Sequence, residues 1–182
     1  ISKTYGNFNG QNSYIEIPTD NAKIKKATNK SFTLSAWFCP DGEPPYGAGV
    51  DNNKCEYSIF MRPGYHTGLS YIHGGLVKCI IWIRPYGSSE REPIVIQTPL
   101  QTNQWYNVGM VVDDLSQIVT LYVNGKEVGK EQYEGELVEY FNRPYYIGVG
   151  DPDLSVWRNF YKGQIAEVGL WSDALKDYEM EL

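Results

Sequence analysis

The imidazole and thiol chemistry open to these 182 residues rests on two histidines, His66 and His73, and three cysteines, Cys39, Cys55 and Cys79. Neither histidine lies in a nucleophile-elbow or papain-like setting. A three-histidine zinc site is impossible, and no Cys-x-x-Cys occurs. The expected set of catalytic residues is therefore empty. An odd cysteine count leaves at least one thiol unpaired within the chain. Cys79 alternates with Ile81 and Ile83 and reads as a small buried hydrophobe. Cys39 and Cys55 could bridge a Pro/Gly-rich loop, the less favoured alternative to free thiols.

Oxygen and aromatic chemistry is better represented. Asp151-Pro152-Asp153 and Asp51-Asn52-Asn53 are oxygen-rich segments of the kind that hold a hard cation, which makes Asp151 and Asp153 candidate Ca2+ ligands. The competing and preferred reading of both is an ordinary turn, and no loop has EF-hand spacing. No other cofactor is expected. Sugar rings offer an apolar face of C–H groups and a rim of hydroxyls, so a Trp or Tyr platform beside polar partners suits them. Trp82 shares a strand face with Lys78 and Arg84, while Tyr71 and His73 share another. If those two strands pair, Tyr71, His73, Trp82 and Arg84 line one shallow groove. The alternative packs Trp82 and Tyr71 beneath the loop 41–53. Trp157, beside Arg158, is a second candidate platform.

Short apolar runs alternating with polar residues, separated by Gly, Asn, Asp or Pro, predict an all-β chain with almost no helical periodicity. The clearest hairpin spans 118–128, where Asn124-Gly125 supplies the two positive-φ residues of a type I′ turn. Segments 32–38, 79–84 and 106–112 alternate as half-buried strands. Residues 8–18 read as an opening strand, and 161–171 as a closing strand running into a Leu-anchored turn. Loops are expected at 41–53 and 86–92. A terminal helix is expected over 173–182, with Ser172 or Asp173 as N-cap. No repeat, low-complexity tract or linker-like shift divides the chain, so residues 1–182 read as one domain.

Five segments in order carry a family resemblance: Phe8-Asn9-Gly10 with Tyr14-Ile15, the strand from Phe32 to Trp37, Gln104-Trp105-Tyr106-Asn107-Val108, Leu121 to Gly125, and Gly163 to Trp171. They resemble the laminin-G-like, concanavalin A-like domains over nearly the whole chain. The resemblance implies a two-sheet antiparallel jelly-roll sandwich, with Trp37, Trp105 and Trp171 at structural core positions. It also implies a framework shared by lectins, carbohydrate-binding modules, adhesion domains and glucanases, so it specifies fold before activity. Asn9 and Ala166 stand where relatives carry Asp. If those carboxylates hold a structural cation in relatives, this chain has lost charge there. Glucanases of this fold alternate catalytic carboxylates along one strand. No Glu-x-Asp-x-Glu pattern exists here; Glu134, Glu136 and Glu139 fall in a polar connection, and Asp113-Asp114 ends a strand as a turn.

A net charge of −6 opposes phosphate neutralisation, so neither nucleic acid nor an anionic lipid surface is an expected partner. The short basic run Lys23 to Lys26 reads as a solvated loop. No apolar stretch is long enough to span a bilayer, and the opening Ile-Ser-Lys-Thr is not a signal peptide, so the chain reads as an excised domain or processed product. The expected function is a non-catalytic glycan-binding module for an oligosaccharide or polysaccharide, acting alone or within a larger extracellular or polysaccharide-processing protein. Its expected location is extracellular or at the cell surface. The alternatives are a protein-binding adhesion domain of laminin-G or pentraxin type, and a glycoside hydrolase or lyase.

Overall fold

Side-chain alternation along the strands sorts the chain into two antiparallel sheets, each turning one face to a shared apolar interior. A computed structural model describes residues 4–18, 31–46, 56–64, 67–138, 143–153 and 158–181. One sheet runs in the order β1 (Gly6–Asn9), β13 (Lys162–Trp171), β3 (Phe32–Pro40), β8 (Tyr106–Asp113), β9 (Ile118–Val123), β10 (Lys126–Gln132). The other runs β11 (Gly135–Leu137), β6 (Leu76–Pro85), β5 (Thr67–Ile72), β4 (Glu56–Arg62), β12 (Tyr145–Ile147), β2 (Ile15–Ile17), with β7 (Glu92–Pro99) also on β6. Ile83 faces both Glu92 and Leu137, so β7 and β11 flank β6 on opposite edges and β11 continues the lane of β5. This is the expected jelly-roll sandwich.

The interior is filled by alternate residues: Phe32, Leu34, Ala36 and Phe38 from β3, and Val77, Cys79, Ile81 and Ile83 from β6. Val108, Met110 and Val112 of β8 meet Val119 and Leu121 of β9 in the same core. Each large side chain so buried contributes about 1.5–3 kcal/mol relative to exposure. Trp37, Trp105 and Trp171 are not among them. Trp37 lies opposite Asn107 and Ala166, and Trp171 opposite Thr33, which places both half-buried on the outer face of the six-stranded sheet. Trp105 is half-buried against Tyr5, with ring centroids 5.9 Å apart. The expectation of core tryptophans is corrected: the strand period of two sends Trp37 to the face opposite Ala36 and Phe38.

That outer face is covered by the chain end. Thr33 Oγ1 donates to Asp173 O at 2.8 Å and accepts from Leu175 N at 3.0 Å. Met180 is buried with Val111 and Tyr122. A side chain at Gly109 would displace the Met180 methyl group, which occupies that space. The terminal helix is shorter than expected, spanning Asp177–Met180, because residues 173–175 follow the sheet surface through their bonds to Thr33. The Glu179 carboxylate accepts from Lys176 N at 2.9 Å at its start. The expected opening strand is in fact two. β1 pairs with β13 in one sheet and β2 with β12 in the other, so the chain changes sheet between Asn9 and Ser13.

Candidate functional site

The sheet-changing turn positions one wall of a cleft at the rim of the sandwich. Asn9 Oδ1 accepts the N–H groups of Gln11, Asn12 and Ser13 at 2.9, 3.0 and 3.2 Å, an Asx-type closure that fixes the turn. Gly10 adopts φ 74°, and a side chain there would meet Lys162 Cβ at 3.0 Å. The opposite wall is the segment entering β13, where Arg158, Asn159 and Phe160 face the start of β4 at Glu56 and Tyr57. Together with Pro45 and Lys162 these residues enclose a cleft of about 360 Å³.

Residues 158–161 are fixed by main-chain bonds. Gly150 N donates to Arg158 O at 2.7 Å, Ser58 N to Asn159 O at 3.0 Å, and Tyr161 N to Gly148 O at 2.9 Å. Asn159 holds φ 45°, a left-handed conformation that Asn tolerates better than most residues. Its side chain is buried, whereas Arg158 is exposed and Phe160 half-buried. Beyond Phe160 the aromatic surface continues through Tyr14 to Tyr146, at centroid separations of 6.3 and 5.8 Å. Glu56 accepts an ion-paired bond from Lys78 at 2.7 Å, and Lys162 pairs with Asp41 at 3.0 Å. Burial first, opposed by Lys162 and reinforced by Asp41, raises the Tyr57 phenol above its ordinary value. The cleft therefore combines an apolar plate, a fixed backbone and charged side chains in a solvent-accessible hollow, chemistry suited to a polyol.

The groove expected at Tyr71, His73, Trp82 and Arg84 does not form. Tyr71 points inward, fully buried, its ring 6.1 Å from Phe38 and its hydroxyl donating to Leu100 O at 3.3 Å. Burial, then Glu43, pushes that phenol up to about 12. His73 sits on the β5–β6 turn, stacked on Tyr46 at 4.5 Å, with Nδ1 3.3 Å from Pro44 O. Trp82 does lie on the face opposite Cys79, Ile81 and Ile83, as alternation requires. Ile72 pairs with Leu76, however, so Trp82 lies roughly 20 Å further along β6 at ~3.3 Å per residue. Arg84 lies beyond it and reaches Glu136 at 3.9 Å. Trp157, His66, Cys55, Glu139 and the 51–53 segment lie outside the described residues.

Asp151 is buried and its carboxylate receives Arg143 Nη2 at 2.6 Å and Asp153 N at 3.1 Å. Asp153 Oδ2 lies 3.6 Å from the same guanidinium. The chain thus supplies its own cation between the two aspartates, and this donor set does not fit Ca2+ while Arg143 stands there. Asn9 is similarly committed to three amides. No group of three or more His, Cys, Asp or Glu is arranged around a metal position among the described residues. Asp113 forms the expected turn, accepting from Ser116 Oγ at 2.7 Å and Leu115 N at 3.1 Å. Glu134 and Glu136 are exposed, and Cys39 is a free, half-buried thiol.

Sequence reading missed most of this cleft. The Asn9-Gly10 dipeptide is a turn signal, but Arg158 and Phe160 follow no alternating pattern, and β4 is buried along almost its whole length, which erases the period of two.

The family model Laminin_G_3, described as the concanavalin A-like lectin/glucanases superfamily, matches residues 9–180. No curated protein matches the chain in sequence. Among solved structures, a candidate carbohydrate binding protein from Bacteroides ovatus is similar at TM-score 0.72 and 19% identity, over 98% of this chain and 46% of that one. The chain therefore spans less than half of that protein. The CBM40 of the Ruminococcus gnavus IT-sialidase is similar at TM-score 0.70 and 14% identity, over 99% of this chain and 97% of that one. A second structure of that CBM40 is bound to α2,3-sialyllactose. Trypanosoma rangeli sialidase is similar at TM-score 0.60 and 18% identity, over 98% of this chain but 26% of that one. At such identities the likeness is one of fold.

Proposed function

The chain belongs to the concanavalin A-like lectin/glucanase superfamily, and from that membership we propose that it is a non-catalytic glycan-binding module whose ligand lies in the rim cleft. The observation that carries this reading is the cleft's composition: Phe160 as an apolar plate beside Arg158, the ordered Asn9 turn and Glu56, all on restrained backbone. A pyranose needs that pairing of a flat C–H contact with hydroxyl partners, and restraint lowers the ordering cost of binding. The Bacteroides ovatus protein and the CBM40 carry carbohydrate-binding descriptions on the same fold, which supports the reading.

The described residues of this cleft lend paired-carboxylate hydrolysis no support. The paired-carboxylate form of glycosidase chemistry needs two carboxyl groups facing each other about 5–9 Å apart. Among the described lining residues Glu56 is the one carboxylate, and Lys78 already neutralises it. The module serves attachment to a polysaccharide met outside the cell, within a larger protein or on its own.

A glycan array and affinity electrophoresis through polysaccharide gels test the reading. Retention by at least one glycan, weakened by Phe160→Ala at an unchanged melting temperature, is the expected result. Absence of retention across neutral and acidic glycans alike would overturn it.

A further inference from the structure

Resting on that glycan reading, we infer that the cleft selects a sugar bearing a carboxylate, such as a uronic or nonulosonic acid, and that Arg158 is the residue that holds it. Among the described residues three ionic side chains line the cleft, and two are internally neutralised: Glu56 by Lys78 at 2.7 Å and Lys162 by Asp41 at 3.0 Å. Arg158 has no ion-pair partner among the described residues and is exposed. Among the described residues, the unpaired charge that the cleft presents to a ligand is therefore the Arg158 guanidinium.

The nearby Arg143 shows the contrast, since Asp151 and Asp153 consume it. Arg158 is also held in place: its carbonyl accepts from Gly150 N at 2.7 Å, and Asn159 O accepts from Ser58 N at 3.0 Å. An unpaired guanidinium on a fixed backbone beside an apolar plate is a directional site for a planar anion, because the guanidinium fork matches a carboxylate through two parallel N–H···O bonds. Next to it the Asn159 side-chain oxygen, on a residue only 8% exposed, has no hydrogen-bond partner. An unmet buried acceptor is costly, and this one sits behind the cleft wall, closed off from solvent. With the chain at net −6, a selective anion site has to be local, as this one is.

The test is calorimetric titration of the intact chain at low salt with two matched pairs: a galacturonic acid trisaccharide against its carboxyl-reduced counterpart, and sialyllactose against lactose. A sulfated galactose trisaccharide serves as a tetrahedral-anion control. At least one acidic sugar is expected to bind about tenfold or more tighter than its neutral partner. Arg158→Gln should abolish that preference and Arg158→Lys restore only part of it, with circular dichroism and melting temperature unchanged. Equal binding of acidic and neutral partners, equal binding of the sulfated sugar, or a preference that survives Arg158→Gln would each overturn the inference while leaving the glycan reading intact. Binding of none of these sugars overturns the inference. If array and gel retention also fail, the glycan reading falls with it.

Discussion

At the scale of single residues, burial separates aromatic side chains that pack from those that can meet a ligand. Phe160 is half-buried in the cleft wall, and stacking of an aromatic ring on a flat partner is worth about 1–3 kcal/mol by analogy with bases. Phe160→Ala is expected to weaken glycan retention roughly tenfold or more, read by affinity electrophoresis. Trp82→Ala, whose site lies on a different part of the molecule, should leave retention unchanged and lower only the melting temperature. Gly148 illustrates the opposite kind of constraint. Its φ is +82°, and an added Cβ would stand 2.4 Å from Phe8 Cδ1. Gly148→Ala should therefore destabilise by roughly 1–3 kcal/mol, measured by denaturant unfolding. It should also loosen the cleft, because Gly148 O accepts from Tyr161 N.

At the scale of elements, what the sequence revealed depended on whether one face or two were buried. The hairpin of β9 and β10 was legible because Asn124 and Gly125 are a turn signature, and both take positive φ, 51° and 75°. β13, β3 and β8 were legible from alternation and from the ordered motifs. β4 and β7 were not: β4 is buried along nearly its whole length, and β7 begins Glu-Pro at a sheet edge. The groove failed because an alternation count gives faces but not the register between strands, and Tyr71 is one residue out of phase with the outer face.

The chain end illustrates an element held by few contacts. Tyr122 OH donates to Asp177 Oδ1 at 2.6 Å, and burial with that carboxylate holds the phenol well above its ordinary value. Met180→Ala should open a cavity over Gly109 and cost about 2–5 kcal/mol. Faster hydrogen exchange in β8 and β9 would show the loss. The turn after β8 is pH-sensitive in a defined sense. The Ser116 hydroxyl, helped by main-chain N–H groups, holds Asp113 below the usual carboxylate value against desolvation. Its contribution is full above that ordinary value and is lost as pH falls through the lower folded-state one. Asp113→Asn should therefore flatten the acid limb of the stability profile and leave the alkaline limb unchanged.

At the scale of the whole molecule, two sheets form the frame, and the proposed binding cleft lies at the rim, where chain segments from distant parts of the sequence meet. The Asn9 turn, the start of β4 and the 158–161 segment converge there because β1 pairs with β13 while Ser58 bonds Asn159 across to the other sheet. The fold was legible from ordered motifs, whereas this convergence depends on which strand ends share a rim, and no local pattern records that.

The frame also bears on cations. Asp151 and Asp153 share Arg143, and the oxygen of Asn9 is taken by three main-chain amides, so both rim features already spend oxygens on internal partners. A ligand that binds only the folded state raises its stability with the logarithm of its concentration over Kd. Addition of millimolar Ca2+ is therefore expected to leave the melting temperature where a chelator leaves it, and glycan retention should be the same in both. A calcium-dependent rise in melting temperature that persists in Asp151→Asn would place a cation elsewhere in the chain. A rise lost in that variant would show that Arg143 yields to the metal, and the charge balance assigned to the two aspartates would have to be redrawn.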